Sequence, residues 1–185
     1  MNAYFKRELA DYVEYHRDPR NSAMHVFGIV FLFLAAVLPL SLFDVLGGRT
    51  TVASIMVLPV LIYWLLLDAA LGIGIVGAAV LLLSTAAMIV NSTSAVGVCS
   101  IAAVLIVIGV AFQVVGHRLF ERRQPALVDN PTHLLLGPMF VMAKLFIALG
   151  FRRDLADIIE RDPQPAPRSS SPFPDESQGR PLPRS

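Results

Sequence analysis

Apolar residues in this chain gather into long runs. A membrane-crossing helix needs about 20 apolar residues. Residues 24 to 46, "MHVFGIVFLFLAAVLPLSLFDVL", meet that length, with Pro39 predicting a kink and "GGR" at 47 to 49 a stop. Residues 51 to 90 are too long for one span. They read as two helices, "TVASIMVLPVLIYWLLLD" and "LGIGIVGAAVLLLSTAAMIV", folded back between Asp68 and Gly72. After the polar "NSTSAVG" comes a fourth run, "VCSIAAVLIVIGVAFQVVG", residues 98 to 116. A shorter run at 134 to 151, "LLLGPMFVMAKLFIALGF", is interrupted by Gly137-Pro138 and carries Lys144. It predicts an interfacial or re-entrant helix, with a fifth span as the alternative.

The expected architecture is therefore an all-α integral membrane protein. It has about four transmembrane helices and a C-terminal interfacial or re-entrant helix. Four segments follow: an N-terminal helix at 1 to 23, the spans at 24 to 116, a second polar motif with the interfacial helix at 117 to 160, and a tail at 161 to 185. That tail, "RDPQPAPRSSSPFPDESQGRPLPRS", is rich in proline, serine and charge. It lacks the apolar surface needed to offset ordering entropy, so disorder is expected. Gly72, Gly74, Gly77, Ala78 and Ala79 should let helices approach closely.

Composition supports the membrane class. Hydrophobic residues make up 55% of the 185 and charged ones 16%, against about 25% charged in soluble domains. The net charge is +1 and no basic block occurs, so a nucleic-acid partner is not expected. The single cysteine, Cys99, rules out an intramolecular disulfide and leaves no basis for a zinc-thiolate site. Lys6, Arg7, Arg17 and Arg20 precede the first run, and Arg118, Arg122 and Arg123 follow the fourth. Arg49 is the only basic residue in the first intervening loop. By the positive-inside rule, four spans with both ends cytoplasmic satisfy this distribution. The N-terminus has no signal-peptide pattern. A bacterial inner membrane is the expected location, or the endoplasmic reticulum in a eukaryote.

This topology gathers the chemistry. His16, His25, His117 and His133 are the four histidines of the protein, and all fall at the cytoplasmic membrane boundary. His117 and Glu121 are spaced i, i+4, as are Tyr12 and His16, and Asn21 and His25. His16 and His25 are nine residues apart and would face opposite ways on one continuous helix. Asp18-Pro19 supplies a break that can turn both inward. Imidazoles with a carboxylate suit iron and other transition metals. Without a useful cysteine, a redox iron held by the four histidines, with Glu121 as ligand or support, is the specific reading. The plain alternative is that histidine avoids apolar spans and simply caps or snorkels at the interface. Asp68 reads as a polar hairpin corner, and the Lys144 ammonium as reaching lipid headgroups.

Two stretches resemble one family. "EYHRDPRNSAMHVFGIVFLFLA" is similar to the amino-terminal signature of the yeast-type 2-hydroxy fatty acid dioxygenases, small multi-pass proteins of phytosphingosine-to-odd-chain fatty acid metabolism. Tyr15 or Tyr12, His16, Asn21, His25 and Gly28 match it. "VVGHRLFERRQPALVDNPTHLLLGPMFVMAK" is similar to the second signature through Gly116, His117, Glu121, Pro125, Ala126, Leu127 and His133. The resemblance implies a Fe(2+)-dependent membrane enzyme acting on a 2-hydroxy fatty acid and O2. It would cleave C1–C2 to give the acid one carbon shorter and CO2. It further implies His16, His25, His117 and His133 as iron ligands, with Glu121, Asn21 and Tyr12 orienting ligands or substrate. Arg122 and Arg123 are candidates for holding the substrate carboxylate. Other readings stay open: a b-type haem on His25 and His117, a transporter, or a scaffold without a site. A di-iron hydroxylase needs roughly twice as many histidines.

Overall fold

The computed structural model describes residues 2–121 and 133–159. Helix α1 (Ala3–Glu14) is capped by Asn2, whose side chain accepts from the Phe5 N–H at 2.7 Å. After a four-residue corner, α2 (Pro19–Leu40) starts on an Asp18 cap with proline at its first position. There the missing proline N–H costs nothing, because the first N–H groups of a helix have no partner within it. A two-stranded hairpin, β1 (Asp44–Val45) with β2 (Thr50–Thr51), then reverses the chain. Helices α3 (Val52–Leu67), α4 (Ala69–Ser92) and α5 (Ala95–Gly116) follow, capped by Thr51, Asp68 and Ser94. Helix α5 runs on into a π-helical turn, His117–Glu121. Helices α6 (His133–Ala148) and α7 (Arg153–Ile159) complete the described chain.

Helices α2, α4 and α5 with its π-helical turn are long and apolar enough to cross a membrane. Helix α3 has 16 residues, about 24 Å at 1.5 Å per residue, which is shorter than the roughly 30 Å of a bilayer's hydrocarbon. The first long helix starts five residues before the apolar run does, because Asp18 and Pro19 supply its cap. It stops at Leu40, so Pro39 lies in the last turn and leaves no helix beyond it to redirect. The expected kink is thus a helix end.

Helices α2 to α5 run alternately up and down. The β1–β2 hairpin and the α4–α5 turn lie at one end; α1, the Asp68 corner and α7 lie at the other. Two apolar cores mark the two ends. Val37, Leu38, Ala53, Val57, Ala86 and Val98 pack near the hairpin. At the opposite end Phe5, Leu9 and Tyr12 of α1 pack on Trp64, Leu71 and Phe140. Polar ties reinforce this second core. Trp64 Nε1 donates to Leu135 O at 2.7 Å. Asp68 accepts two hydrogen bonds from Arg152, at 2.9 and 3.0 Å.

The expected small-residue stripe is only partly an interface. A Cβ on Gly72 would sit 2.7 Å from Leu65 Cα, and one on Gly74 would meet Met142 Sδ at 2.8 Å. Gly77 faces open space. The proline- and serine-rich tail, 161 to 185, lies outside the described residues.

Candidate metal centre

The corner between α1 and α2 brings His16 and His25 together. Helix α1 ends at Glu14, Asp18 is extended, and α2 starts at Pro19. Instead of facing opposite ways, the two imidazoles stack with centroids 4.3 Å apart. Helix α5 delivers His117 edge-on, 4.8 Å from the His16 ring and 5.1 Å from the His25 ring. One ring nitrogen from each of the three lies within 4.8 Å of the other two.

Glu121 secures the corner. Its Oε1 accepts the Asp18 N–H at 2.8 Å and Asn21 Nδ2 at 3.2 Å. The π-helical turn carries His117 and Glu121 together, so the carboxylate holds the opposite strand of the site while the imidazole enters it. Such turns recur at functional sites. Asn21 is fully buried, and its carboxamide sits where a Cβ on residue 116 would be, which explains Gly116. Gly28 similarly makes room for Gln113, whose Nε2 would lie 2.7 Å from an added Cβ.

The nitrogen atoms divide cleanly. His16 Nδ1–H donates to Tyr12 O at 2.9 Å, which leaves Nε2 with its lone pair. Tyr12 Oη lies 3.2 Å from His25 Nε2. In the tautomer where that nitrogen donates, His25 Nδ1 carries the lone pair. His16 Nε2, His25 Nδ1 and His117 Nδ1 are all shielded from solvent and lack a hydrogen-bond partner. Buried polar atoms are nearly always paired, so an unpaired nitrogen on each of three clustered imidazoles needs an explanation. A metal ion supplies one: metal-bound imidazoles commonly use one nitrogen as ligand and anchor the other by a hydrogen bond. Electrostatics agree. Burial, followed by the neighbouring His25, drives the His16 pKa down to about 2, so it stays neutral, as a ligand must. Burial raises the Tyr12 phenol well above its ordinary value.

The structure therefore brings three of the four histidines into one group. His133 stands beside it, its ring roughly perpendicular to Tyr12 and Tyr15 with centroids 5.4 and 5.8 Å away. Its Nε2 is 3.0 Å from Asp11 Oδ2, without hydrogen-bond alignment. Tyr12 links the parts, stacking on His16 at 4.1 Å while its hydroxyl reaches His25. Arg122, Arg123, Pro125, Ala126 and Leu127 lie outside the described residues.

One expectation is corrected. Lys144 does not extend to headgroups; its Nζ donates to Ser22 Oγ at 2.7 Å and lies 4.9 Å from the Phe140 ring centroid. Helix α6 packs through Phe140 and Ala143, which sets residue 144 beside the first turn of α2, where a hydroxyl and an aromatic face solvate the ammonium. Neither Ser22 nor Phe140 stands out in the sequence. The available signal was Ser22 one turn before His25, and a lone lysine inside an apolar helix.

Fold and site together define a class: a helical protein with membrane-length helices and a buried histidine cluster at one end. The chain belongs to the Mpo1-like family, whose profile, described as 2-hydroxy-palmitic acid dioxygenase Mpo1-like, matches residues 2–149. It is 30% identical over 158 residues to the Saccharomyces cerevisiae protein 2-hydroxy-palmitic acid dioxygenase MPO1, a match covering 85% of this chain and 88% of that one. No solved structure matches it. The family is the one that the two histidine motifs resemble.

Proposed function

We propose that this chain is a membrane-embedded, Fe(II)-dependent 2-hydroxy fatty acid dioxygenase. It passes the bilayer four times, with both ends cytoplasmic. The observation that carries the reading is the buried group of His16, His25 and His117, one ring nitrogen of each within 4.8 Å of the other two, in rings that each carry an unpartnered buried nitrogen. These three would hold the iron, which when bound supplies oxygen chemistry beyond the reach of side chains. His133 is a further candidate ligand, or acts on the site through Tyr12. Glu121 and Asn21 keep the corner in place, and Tyr12 fixes the orientation of the His16 and His25 rings.

The reaction consumes a 2-hydroxy acid and O2. It breaks C1–C2 and yields the acid one carbon shorter, CO2 and water. Because the cluster lies at one end of the bundle, the polar head of the substrate can reach it while the acyl tail stays among apolar helix faces. A haem between His25 and His117 is disfavoured by geometry. The rings meet edge to face at 5.1 Å, with His16 packed against both, which leaves no slot for a macrocycle.

The test is metal content of detergent-purified protein after anaerobic loading with iron(II), wild type beside His117→Ala. About one iron per chain, absent from the variant, is expected. The loaded wild type should convert 2-hydroxypalmitate and O2 to the shorter acid. A wild type that retains no iron would return the histidines to a packing role.

A further inference from the structure

We propose that Lys144 is the carboxylate-binding residue of this site, holding the head of a 2-hydroxy acid against the histidine cluster. The assignment rests on the dioxygenase reading above and adds to it the group that selects an acid. Helix α6, "HLLLGPMFVMAKLFIA", is apolar apart from His133 and Lys144. An ammonium is costly in such a setting, and ionisable groups retained there are generally functional. A lysine at the edge of an apolar helix ordinarily extends outward to water or headgroups. This one folds inward, onto Ser22 in the first turn of α2, three residues before His25.

Phe140 supplies the measure of proximity. One ring faces both groups: Lys144 Nζ at 4.9 Å and the His16 imidazole at 5.5 Å. The ammonium is therefore within about 10 Å of the His16 ring, an interval that a carboxylate with its adjoining carbinol can bridge. The cluster contributes no charge of its own, being built from imidazoles, and Glu121 is committed to Asp18 and Asn21. Lys144 sets a positive charge on the side of the cluster that Phe140 lines. The N-terminal turn of α2, where Ser22 lies, adds a partial positive charge of the same sense.

The experiment compares two ligands on iron-loaded, anaerobic protein in detergent: 2-hydroxypalmitate and the 1,2-diol of the same chain length. Both share the tail and the 2-hydroxyl; only the acid has a carboxylate. Wild type should favour the acid. Lys144→Gln should lose at least about tenfold of that preference, the scale of one charge-assisted hydrogen bond, with diol affinity and iron content unchanged. Lys144→Arg should recover most of it. A folding defect would weaken both ligands together and lower the iron content, so the ratio isolates the head group. Lys144→Gln protein that holds iron and keeps the wild-type preference overturns the assignment alone. Wild type that holds neither iron nor acid overturns the dioxygenase reading, and the assignment with it.

Discussion

Glu121 spends its carboxylate on a backbone N–H and a carboxamide, both belonging to the corner that turns His25 toward His16. Glu121→Ala should therefore weaken iron binding by roughly 10- to 100-fold, as loss of a ligand-orienting contact does. Glu121→Gln, which keeps an acceptor oxygen, should recover most of that loss. Competition against a calibrated chelator measures both, and unchanged affinity in the alanine variant would deny Glu121 its positioning role. At this scale the sequence was legible where chemistry is rare. The rarity of histidine and its spacings pointed to His16, His25 and His117, which meet in one group, while His133 stands beside it; the Asp18-Pro19 break was readable as a corner. What spacing does not encode is the partner across the fold. Nothing near Glu121 in sequence indicates that it bonds Asp18, and nothing near Lys144 indicates Ser22.

Among the elements, helices were legible from their apolar runs, and helix ends were not. Capping chemistry sets the ends: Asp18 and Pro19 start α2 before its apolar residues begin, and the π-helical turn after α5 has no counterpart in hydropathy. Small residues show the same limit, since pattern alone does not separate a glycine at an interface from one facing outward. Gly72→Ala would set a Cβ 2.7 Å from Leu65 Cα, and backbone cannot yield as a side chain can. A cost of about 1–3 kcal/mol is expected, as for other overpacked sites. Gly77→Ala meets nothing within 4 Å and should be neutral or slightly stabilising. Thermal unfolding in detergent distinguishes the pair; equal midpoints would place α3 and α4 further apart than described here.

For the molecule as a whole, the Asp68–Arg152 pair joins the α3–α4 corner to the segment leading into α7. Burial pushes the Asp68 carboxyl up, but the Arg152 guanidinium and the Leu71 N–H outweigh it and hold the group below its ordinary value of 3.8. On acidification the unfolded carboxyl takes its proton first. The contribution of the pair is therefore complete above about pH 4 and is lost as pH falls through the lower, folded value. Asp68→Asn should cost about 1–2 kcal/mol, between an exposed pair and a buried one, because Arg152 is partly exposed and shared with Asp154. That cost should be equal at about pH 7 and about pH 5 and should shrink in stronger acid. Unfolding midpoints of both proteins across that range test it, and a gap that already closes by pH 5 would contradict the depressed carboxyl.

Asp18 and Glu121, the two sides of the corner lock, are 103 positions apart. A growing chain emerges from its amino terminus, so His16 and His25 exist long before His117 is synthesised. Until His117 is made, the chain can offer an ion two of the three imidazoles and no lock. On the proposed reading, metal capture would await the return of α5 to the starting face, when His117 and Glu121 join the corner. Because a ligand that binds only the folded state stabilises it, a bound ion would then act as a clasp that favours chains in which α5 has come back to the α1–α2 corner.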